Sequence, residues 1–494
     1  MARQLDVLLL SSEVEPFAKT GGLADVSCAL PKSIKSLDHE IRIMMPRYGS
    51  IDERKCKLHE MIRLKDIPVP LGNKQILASV RSSFLLNSHS KVQVYFLDNH
   101  SLFGRSGLYI HPETKKDYRD NDDRFFFFAR GVLEVLKRLG WQPNIIHCND
   151  WPTGLVPVYL KTLYKNDPFY KDTRTVFTVH NMAYQGVFPK SSFNKTGLPA
   201  GVLSEKGIES DGMINLLKAG LVYSDAITTV SEKYAEEIQS SAEYGCGLED
   251  VVRRRKDSVT GILNGIDDSV WDPATDKSIP HKYGIKTLDL KLENKKALLR
   301  RTGLPFRGTI PVLGMVSRLA EQKGIDIIMD VWDELMTLPL QLVVLGIGEK
   351  RYHDFFSKAG KKYPEKIAAC LEFNEDLAHL IHAGSDMFLM ASRYEPCGLN
   401  QMYSMKYGTV PIVRATGGLD DTVEDFNPST GKGTGFKFKE YHGGDLLRVV
   451  KRALGAYATT TSWRKIVKNG MSKDFSWETS ARKYVQLYRS LART

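Results

Sequence analysis

The stretch Lys19-Thr20-Gly21-Gly22-Leu23-Ala24-Asp25-Val26 decides how this chain is to be read. The apolar run Val7 to Leu10 ahead of it predicts a short buried strand, and the spacing of apolar residues from Val26 to Ile34 predicts a helix. Two glycines therefore stand where a strand hands over to a helix. Glycine lets a backbone come close to a ligand, and the unpaired N–H groups of a helix start favour an anion. Lys19 adds a cation just before them. A phosphate suits this arrangement; close packing of strand against helix is the other reason for glycines at such a turn. Near the far end, Thr416-Gly417-Gly418-Leu419-Asp420-Asp421-Thr422-Val423 repeats T-G-G-L-x-D after a second apolar run, Val410 to Val413. Two copies read as two related α/β domains, each offering a glycine loop.

At 494 residues the chain exceeds one core, and about two to four domains are expected from length. It is 42% hydrophobic and 26% charged, enough to bury a substantial core. No apolar run approaches the roughly 18–20 residues that span a bilayer. Strand pattern begins by Leu5, which is expected to leave no room for a signal or transit peptide. Six cysteines are scattered without a C-x-x-C pair, which argues against a disulfide framework and a zinc site; a reducing cytoplasm is the simplest setting. The net charge is +11 with dispersed Lys and Arg. No nucleic-acid signature accompanies it, so the charge reads as solvated surface with a few members placed for a phosphate-bearing ligand.

Strands are predicted at Leu5–Leu10 and Ile41–Met45, then an antiparallel insertion over roughly 55–98. Asp120 to Leu139 predicts a helix whose Phe125 to Phe128 run serves apolar packing. A strand–helix rhythm follows: strand Asn144–His147, helix Trp151–Leu163, strand Thr173–Val179, helix Gly212–Val222, strand Ala226–Val230, helix Glu232–Gln239. Such alternation means a parallel sheet covered on both faces. Val259–Leu263 leads into the turn-rich Asn264-Gly265-Ile266-Asp267, the expected domain boundary. After a helix at Leu288–Thr302, strands recur at Val312–Val316, Leu340–Leu345, Ala368–Phe373, Met387–Met390 and Val410–Val413. A last helix, Trp477–Leu491, either bridges the two domains or closes the second.

Ligands of open parallel sheets sit outside the carboxyl ends of the strands. Lys19 to Asp25, His147 to Trp151 and His180-Asn181 follow strands in the first half. Ser317-Arg318 with Gln322-Lys323-Gly324, then Arg393 to Leu399, and then Thr416 to Asp421 do so in the second. Three cations recur on these rims: Lys19, Arg318 and Lys323. Arg grips phosphate oxygens in a fork and Lys acts as a point charge, so a diphosphate is the better guest. The alternative is pairing of Arg318 and Lys323 with Glu321 or Asp326. The rim carboxylates are Asp25, Asp150, Glu395 and Asp421. Glu395 either meets a sugar hydroxyl or a developing cation, or serves as an N-terminal helix charge. His147 reads as a satisfied core group and His180 as the histidine that meets substrate. Cys397 has no local base to make it a nucleophile. Gly346-Ile347-Gly348 lacks the third glycine of a dinucleotide fingerprint, and no metal-ligand pair stands at a strand end.

Taken together, these motifs resemble the bacterial glycogen synthases and plant starch synthases. The likeness runs through Glu13 to Val26, His147 to Trp151, Thr178 to Asn181 with Tyr184-Gln185-Gly186, and Lys218-Ala219-Gly220 with Tyr223 to Ala226. It continues in Tyr244 to Glu249, Gly261 to Asp267, Ser317-Arg318-Leu319, Gln322-Lys323-Gly324, Glu395 to Leu399 and Thr416 to Leu419. The resemblance implies an α/β GT-B architecture: two Rossmann-like domains facing each other across a deep cleft, with the C-terminal helix returning to the N-terminal domain. The expected division is 1–262, 263–474 and a terminal helix 475–494. It implies transfer of α-glucose from ADP-glucose to the 4-hydroxyl at the non-reducing end of an α-1,4-glucan, with retention and without a metal or other cofactor. No nucleic acid or membrane is implied as a partner. Lys19 and Gly22 are then expected at the donor diphosphate, with Arg318 and Lys323 neutralising it. Glu395, Cys397, Gly398 and Leu399 are expected along the glucose and phosphates, His180 on the glucose, and Asp150 and Asn264 at the reaction centre. Phe373 is expected on the adenine. Gly21, Asp25, Asn181, Thr416, Gly417 and Gly418 complete the expected substrate-binding set. Asn149, Pro152, Ser231-Glu232 and Asp420 depart from the usual family pattern without removing any of these charges.

Three other readings are weaker. A two-domain oxidoreductase is disfavoured by the broken G-x-G fingerprint. A non-catalytic glucan-binding protein is disfavoured by the intact set Lys19, Arg318, Lys323 and Glu395. A phosphorylase-type enzyme lacks a lysine motif suited to pyridoxal phosphate.

Overall fold

Apolar runs without polar alternation suit strands covered on both faces. The computed structural model, which describes residues 4–86 and 91–492, builds them into the parallel cores of two sheets. The chain divides into two compact units. The first comprises Met1–Val230, Ala235–Gly265 and Trp477–Thr494, and the second Ser231–Tyr234 and Ile266–Ser476.

The first unit holds β1 (Asp6–Leu10), β2 (Glu40–Pro46), β3 (His59–Glu60), β4 (Ile67–Leu71), β5 (Lys74–Leu86), β6 (Lys91–Asp98), β7 (Ile145–Asn149) and β8 (Arg174–Val179). A small sheet follows, made of β9 (Val187–Pro189), β10 (Glu209–Ser210) and β11 (Met213–Asn215), before β12 (Ala226–Thr229) and β13 (Val259–Gly261). The main sheet has the order β13-β12-β8-β7-β1-β2-β6-β5-β3. It is parallel from β13 to β6. The antiparallel stretch expected over 55–98 extends this same sheet, because β5 pairs antiparallel with β6 while β6 runs parallel to β2. Helix Asn121–Leu139 buries all four of Phe125 to Phe128, each worth roughly 1.5–3 kcal/mol of burial. Helix Trp477–Ala492 belongs to this unit and packs on helix Gly22–Ser36.

The second unit holds β14 (Val312–Val316), β15 (Gln341–Leu345), β16 (Ile367–Cys370), β17 (Met387–Met390), β18 (Val410–Arg414) and β19 (Phe436–Phe438), ordered β16-β15-β14-β17-β18-β19 and parallel throughout.

Some elements differ from the sequence reading. The predicted helix Gly212–Val222 begins as β11 and turns helical at Leu216, where the Asn215 side chain accepts the Lys218 N–H at 2.9 Å. The predicted helix Trp151–Leu163 splits into a 3-10 turn, Trp151–Thr153, and helix Leu155–Lys161. Helix Leu288–Thr302 likewise splits into a 3-10 stretch, Ile285–Leu290, and helix Lys291–Thr302. The strand expected over Ala368–Phe373 ends at Cys370, which leaves Phe373 on the loop beyond it.

What positions function is the strand order. In the first sheet the chain fills one side of β1 with β2 and the other with β7; in the second it fills one side of β14 with β15 and the other with β17. Loops leaving the carboxyl ends of β1 and β7, and of β14 and β17, therefore diverge and open a crevice at each switch point.

Candidate active site

At the first switch point Leu10 lies beside Cys148, so the loops after β1 and β7 rise next to each other. The β1 loop carries Glu13, Lys19, Gly21, Gly22 and Asp25. Glu13 is 4% exposed. Its carboxylate accepts the Thr20 N–H, the Thr20 hydroxyl at 2.6 Å, the Gly21 N–H at 3.1 Å and the Tyr109 hydroxyl at 2.8 Å. Two N–H groups of this loop, among them that of Gly21, which the sequence reading offers to a phosphate, are thus taken internally. Lys19 Nζ lies 2.7 Å from Asp25 Oδ1, in a pair whose members are both substantially exposed. A Cβ built on Gly21 or Gly22 meets nothing within 4 Å. The bare backbone there answers no packing need of the unit itself.

The β7 loop begins with Asp150, held at φ 54° and ψ 179°. That region is nearly confined to glycine, and a side chain in it carries strain of about 1–3 kcal/mol that clusters at functional sites. The Asp150 N–H donates to Thr178 O at 2.9 Å, and its Oδ1 accepts the His180 N–H at 2.8 Å. Burial pushes the Asp150 carboxyl up to about 7; the His180 N–H works against that rise and the charge of Glu13 adds to it. Asn149 donates from Nδ2 to Leu10 O at 2.9 Å, which turns its Oδ1 toward His180 Nε2, also 2.9 Å away. His180 therefore carries its proton on Nε2. Burial pulls its pKa down to about 4, so the ring is neutral near pH 7. The Asn181 side chain accepts the Ala183 N–H at 3.0 Å and fixes the turn after β8.

His147 is wholly buried. It lies 2.7 Å from the Tyr488 hydroxyl and 2.5 Å from Thr178 Oγ1. It ties the terminal helix to the sheet and has the core role the sequence suggests. Asn264, three residues beyond β13, is buried, and its Oδ1 has no partner among the described residues.

At the second switch point the β14 loop carries Arg318 and Lys323, and the β17 loop carries Ser392 to Leu399. Lys323 Nζ lies 2.6 Å from Glu395 Oε2, and the Ser392 hydroxyl donates to the same oxygen at 2.9 Å. Side-chain exposure is 18% for Lys323 and 9% for Glu395, so this is the better-shielded of the two rim ion pairs. The alternative pairings do not occur: Glu321 is engaged by Arg351 and Arg393, and Asp326 by the Tyr441 hydroxyl. Arg318 is exposed, and it has no carboxylate partner among the described residues. Cys397 is buried, Gly398 takes φ +68°, and Leu399 precedes helix Asn400–Lys406. Thr416, Gly417 and Gly418 pack against this loop; the Gly418 N–H donates to Glu395 O at 3.1 Å. Phe373 is 84% exposed, a large apolar ring standing in solvent.

The structure thus gathers Lys19, Gly21, Gly22 and Asp25 on one loop. Asp150, His180 and Asn181 lie around one set of hydrogen bonds, and Lys323, Glu395, Cys397, Gly398 and Thr416 to Gly418 around another. Glu13, Asn149 and Ser392 also belong to these networks but carry no role in the sequence reading. Glu13 and Ser392 stand three and two residues beyond strand ends, nearer than Lys19 or Glu395, so the strand-end rule reaches them although neither carries a motif of its own. No cluster of three His, Cys, Asp or Glu side chains suited to a metal occurs among the described residues. No helix among them is long and apolar enough to cross a membrane.

Comparison with known proteins is consistent along the whole chain. Residues 6–254 match the starch synthase catalytic domain, and residues 300–469 match glycosyl transferases group 1. The glycogen synthase of Desulforamulus reducens is 45% identical over 488 residues, covering 99% of each chain. That of Koribacter versatilis is 47% identical over 485 residues, covering 98% of each. The catalytic domain of starch synthase IV from Arabidopsis thaliana, bound to ADP and acarbose, superposes with a TM-score of 0.89 at 31% identity, covering 100% of both chains. This chain belongs to the glycogen synthase and starch synthase family of GT-B glycosyltransferases.

Proposed function

We propose that the protein transfers an α-D-glucosyl unit from ADP-glucose to the non-reducing-end 4-hydroxyl of an α-1,4-glucan, with retention of configuration. The observation that carries this reading is the shielded Lys323–Glu395 pair at a switch point, 2.6 Å apart, with an exposed Arg318 on the same loop. Departure of ADP builds negative charge on its diphosphate. Fixed cations stabilise that charge without reorganising, and Lys323 and Arg318 supply them. Glu395 faces the sugar, whose anomeric carbon becomes cationic as the bond to phosphate lengthens. Cys397, Gly398, Leu399 and the Thr416–Gly418 turn form the surface along glucose and phosphate, and Phe373 stacks on adenine.

Lys19 and the Gly22 backbone of the first unit meet the diphosphate; Gly21 and Asp25 belong to the same substrate-binding loop, where Asp25 holds Lys19. His180, a neutral N–H donor, binds a glucose hydroxyl, with Asn181, Asp150 and Asn264 around the reacting sugar. The chemistry needs no metal, because the charge of the leaving group is met by side chains. The cytoplasm, where ADP-glucose and glucan are both available, is the proposed setting.

The test is incorporation of labelled glucose into glycogen from ADP-glucose and, separately, from UDP-glucose, with the product linkage read by NMR. Incorporation from ADP-glucose as α-1,4 linkages is expected. A preference for UDP-glucose overturns the donor assignment, and no incorporation from either overturns the function.

A further inference from the structure

The Glu13 carboxylate is buried yet has no cationic partner among the described residues. Neutral groups alone hold it: the N–H groups of Thr20 and Gly21 and the hydroxyls of Thr20 and Tyr109. A buried anion held only by neutral donors is a costly way to tie a loop, and the loop it ties has glycines that packing does not require. A backbone held rigid and left bare is what a ligand that must be positioned closely needs.

Tyr109 extends the arrangement. Its hydroxyl lies 2.6 Å from Ser12 Oγ as well as bonding Glu13. Its ring centroid lies 6.0 Å from that of Trp151, the residue after Asp150. One side chain thus joins the two loops that flank the first switch point.

We propose that Glu13 is the positioning residue of the Lys19–Gly22 loop and that Tyr109 is its partner. Together they fix Thr20 and Gly21 so that Lys19 and the Gly22 backbone meet the donor diphosphate. This rests on the ADP-glucose reading above. The carboxylate also has an electrostatic consequence: it occupies the N–H groups an anion would otherwise take, and turns phosphate oxygens toward Lys19 and Gly22.

The test compares Glu13→Gln and Tyr109→Phe with the unaltered chain in melting temperature, kcat, KM for ADP-glucose and Kd for ADP. Gln keeps the shape but puts an NH2 group against donors. We expect Glu13→Gln to raise KM and the ADP Kd about ten-fold with a smaller loss in kcat, and Tyr109→Phe to act in the same direction by roughly three-fold. The double variant is expected to fall short of the product of the two, since the residues act through one contact. KM and Kd within two-fold of the unaltered chain in both variants overturn the proposal. So does a loss of kcat and melting temperature with KM unchanged, which marks a purely structural tie. Should Glu13→Gln fail to fold, Tyr109→Phe, which removes a single hydroxyl, decides alone. An unaltered chain that does not turn over ADP-glucose refutes the functional reading instead.

Discussion

A Cβ placed on Gly21 or Gly22 meets no atom within 4 Å, whereas one placed on Gly417 lies 2.0 Å from Glu395 O and one on Gly418 lies 2.0 Å from Cys397 O. Gly417 also takes φ +45°, while Gly21 is extended at −155°. Thr20-Gly21-Gly22-Leu23 and Thr416-Gly417-Gly418-Leu419 therefore share letters and differ in cause. The second loop is glycine because the backbone of the Glu395 loop presses on it. The first is glycine although the protein leaves room for a side chain. The second loop supports a site; the first is itself a bare surface.

The largest expected effect tests the second loop. Gly417→Ala adds a methyl against backbone, which cannot step aside, at a left-handed φ. Overpacking costs about 1–3 kcal/mol and the left-handed backbone about 1–2 kcal/mol more. For a unit of this size a melting temperature lower by roughly 4–20 °C follows, with Gly418→Ala close behind. A thermal melt followed by circular dichroism checks it; a Gly417→Ala protein that melts within about 2 °C of the original would show that the second loop, like the first, has room.

Next come the two rim lysines. Lys323 is shielded against Glu395 and Lys19 is open with Asp25. Lys323→Ala is expected to lower kcat by on the order of 10²-fold or more, the loss typical of one preorganised charge contact. It also leaves Glu395 buried without its cation. Lys19→Ala, in a solvated pair, is expected to act mainly on KM and by about ten-fold. Steady-state kinetics with ADP-glucose separates them, and an unchanged kcat in Lys323→Ala removes that residue from the mechanism.

The strand ends were legible because strands of a parallel sheet are buried on both faces and read as unbroken apolar runs, as in Val7 to Leu10 and Val410 to Val413. The rims follow from strand ends alone, and that rule singles out Lys323 and Glu395, which pair at the second switch point. The cause behind each glycine pair was not legible, since it depends on which backbone lies opposite. The same is true of Glu13: a carboxylate three residues past a strand has no local mark to say that it holds Thr20 and Gly21. The run Ala368 to Phe373 is mostly apolar and reads as one strand to its last residue; the strand ends at Cys370, whose carbonyl accepts the Gly346 N–H, and the Phe373 ring is left in solvent. Residues 212–222 show the converse: their spacing is helical throughout, yet pairing of Met213 to Asn215 with β9 overrides it at the start.

A smaller effect probes the electrostatics around the first loop. Burial lifts the Asp150 carboxyl from 3.8 to about 7, with Glu13 adding to the rise. Between about pH 4 and 7 the folded chain thus binds a proton that the unfolded chain has released, so stability falls as pH rises through that window. Asp150→Asn is expected to lack this fall, which denaturant titrations at pH 5 and pH 8 check. If the ionised carboxylate is the working form, kcat/KM rises about ten-fold, or ~1.4 kcal/mol, from pH 6 to pH 8. Removing the Glu13 charge with Glu13→Gln moves that rise to lower pH. A pH profile that stays in place would show that the first loop does not communicate with Asp150.

The smallest expected effect is the most pointed for the comparison. Gly22 opens helix Gly22–Ser36, its φ is not left-handed, and its Cβ direction is empty. Alanine there gains a few tenths to about 1 kcal/mol of helix propensity, so Gly22→Ala is expected to melt slightly higher than the original. The same methyl stands on the surface proposed for the diphosphate, so KM for ADP-glucose and the Kd for ADP are expected to rise by roughly five-fold, about 1 kcal/mol. Gly418→Ala does the opposite, losing stability first and binding only as a consequence. The two substitutions are chemically identical and sit in the same tetrapeptide, so the composition of the motif cannot account for a difference in sign. If Gly22→Ala binds ADP as the original does, the open space beside it is not where the donor lies. Lys19 then has to be reached by the diphosphate from another side.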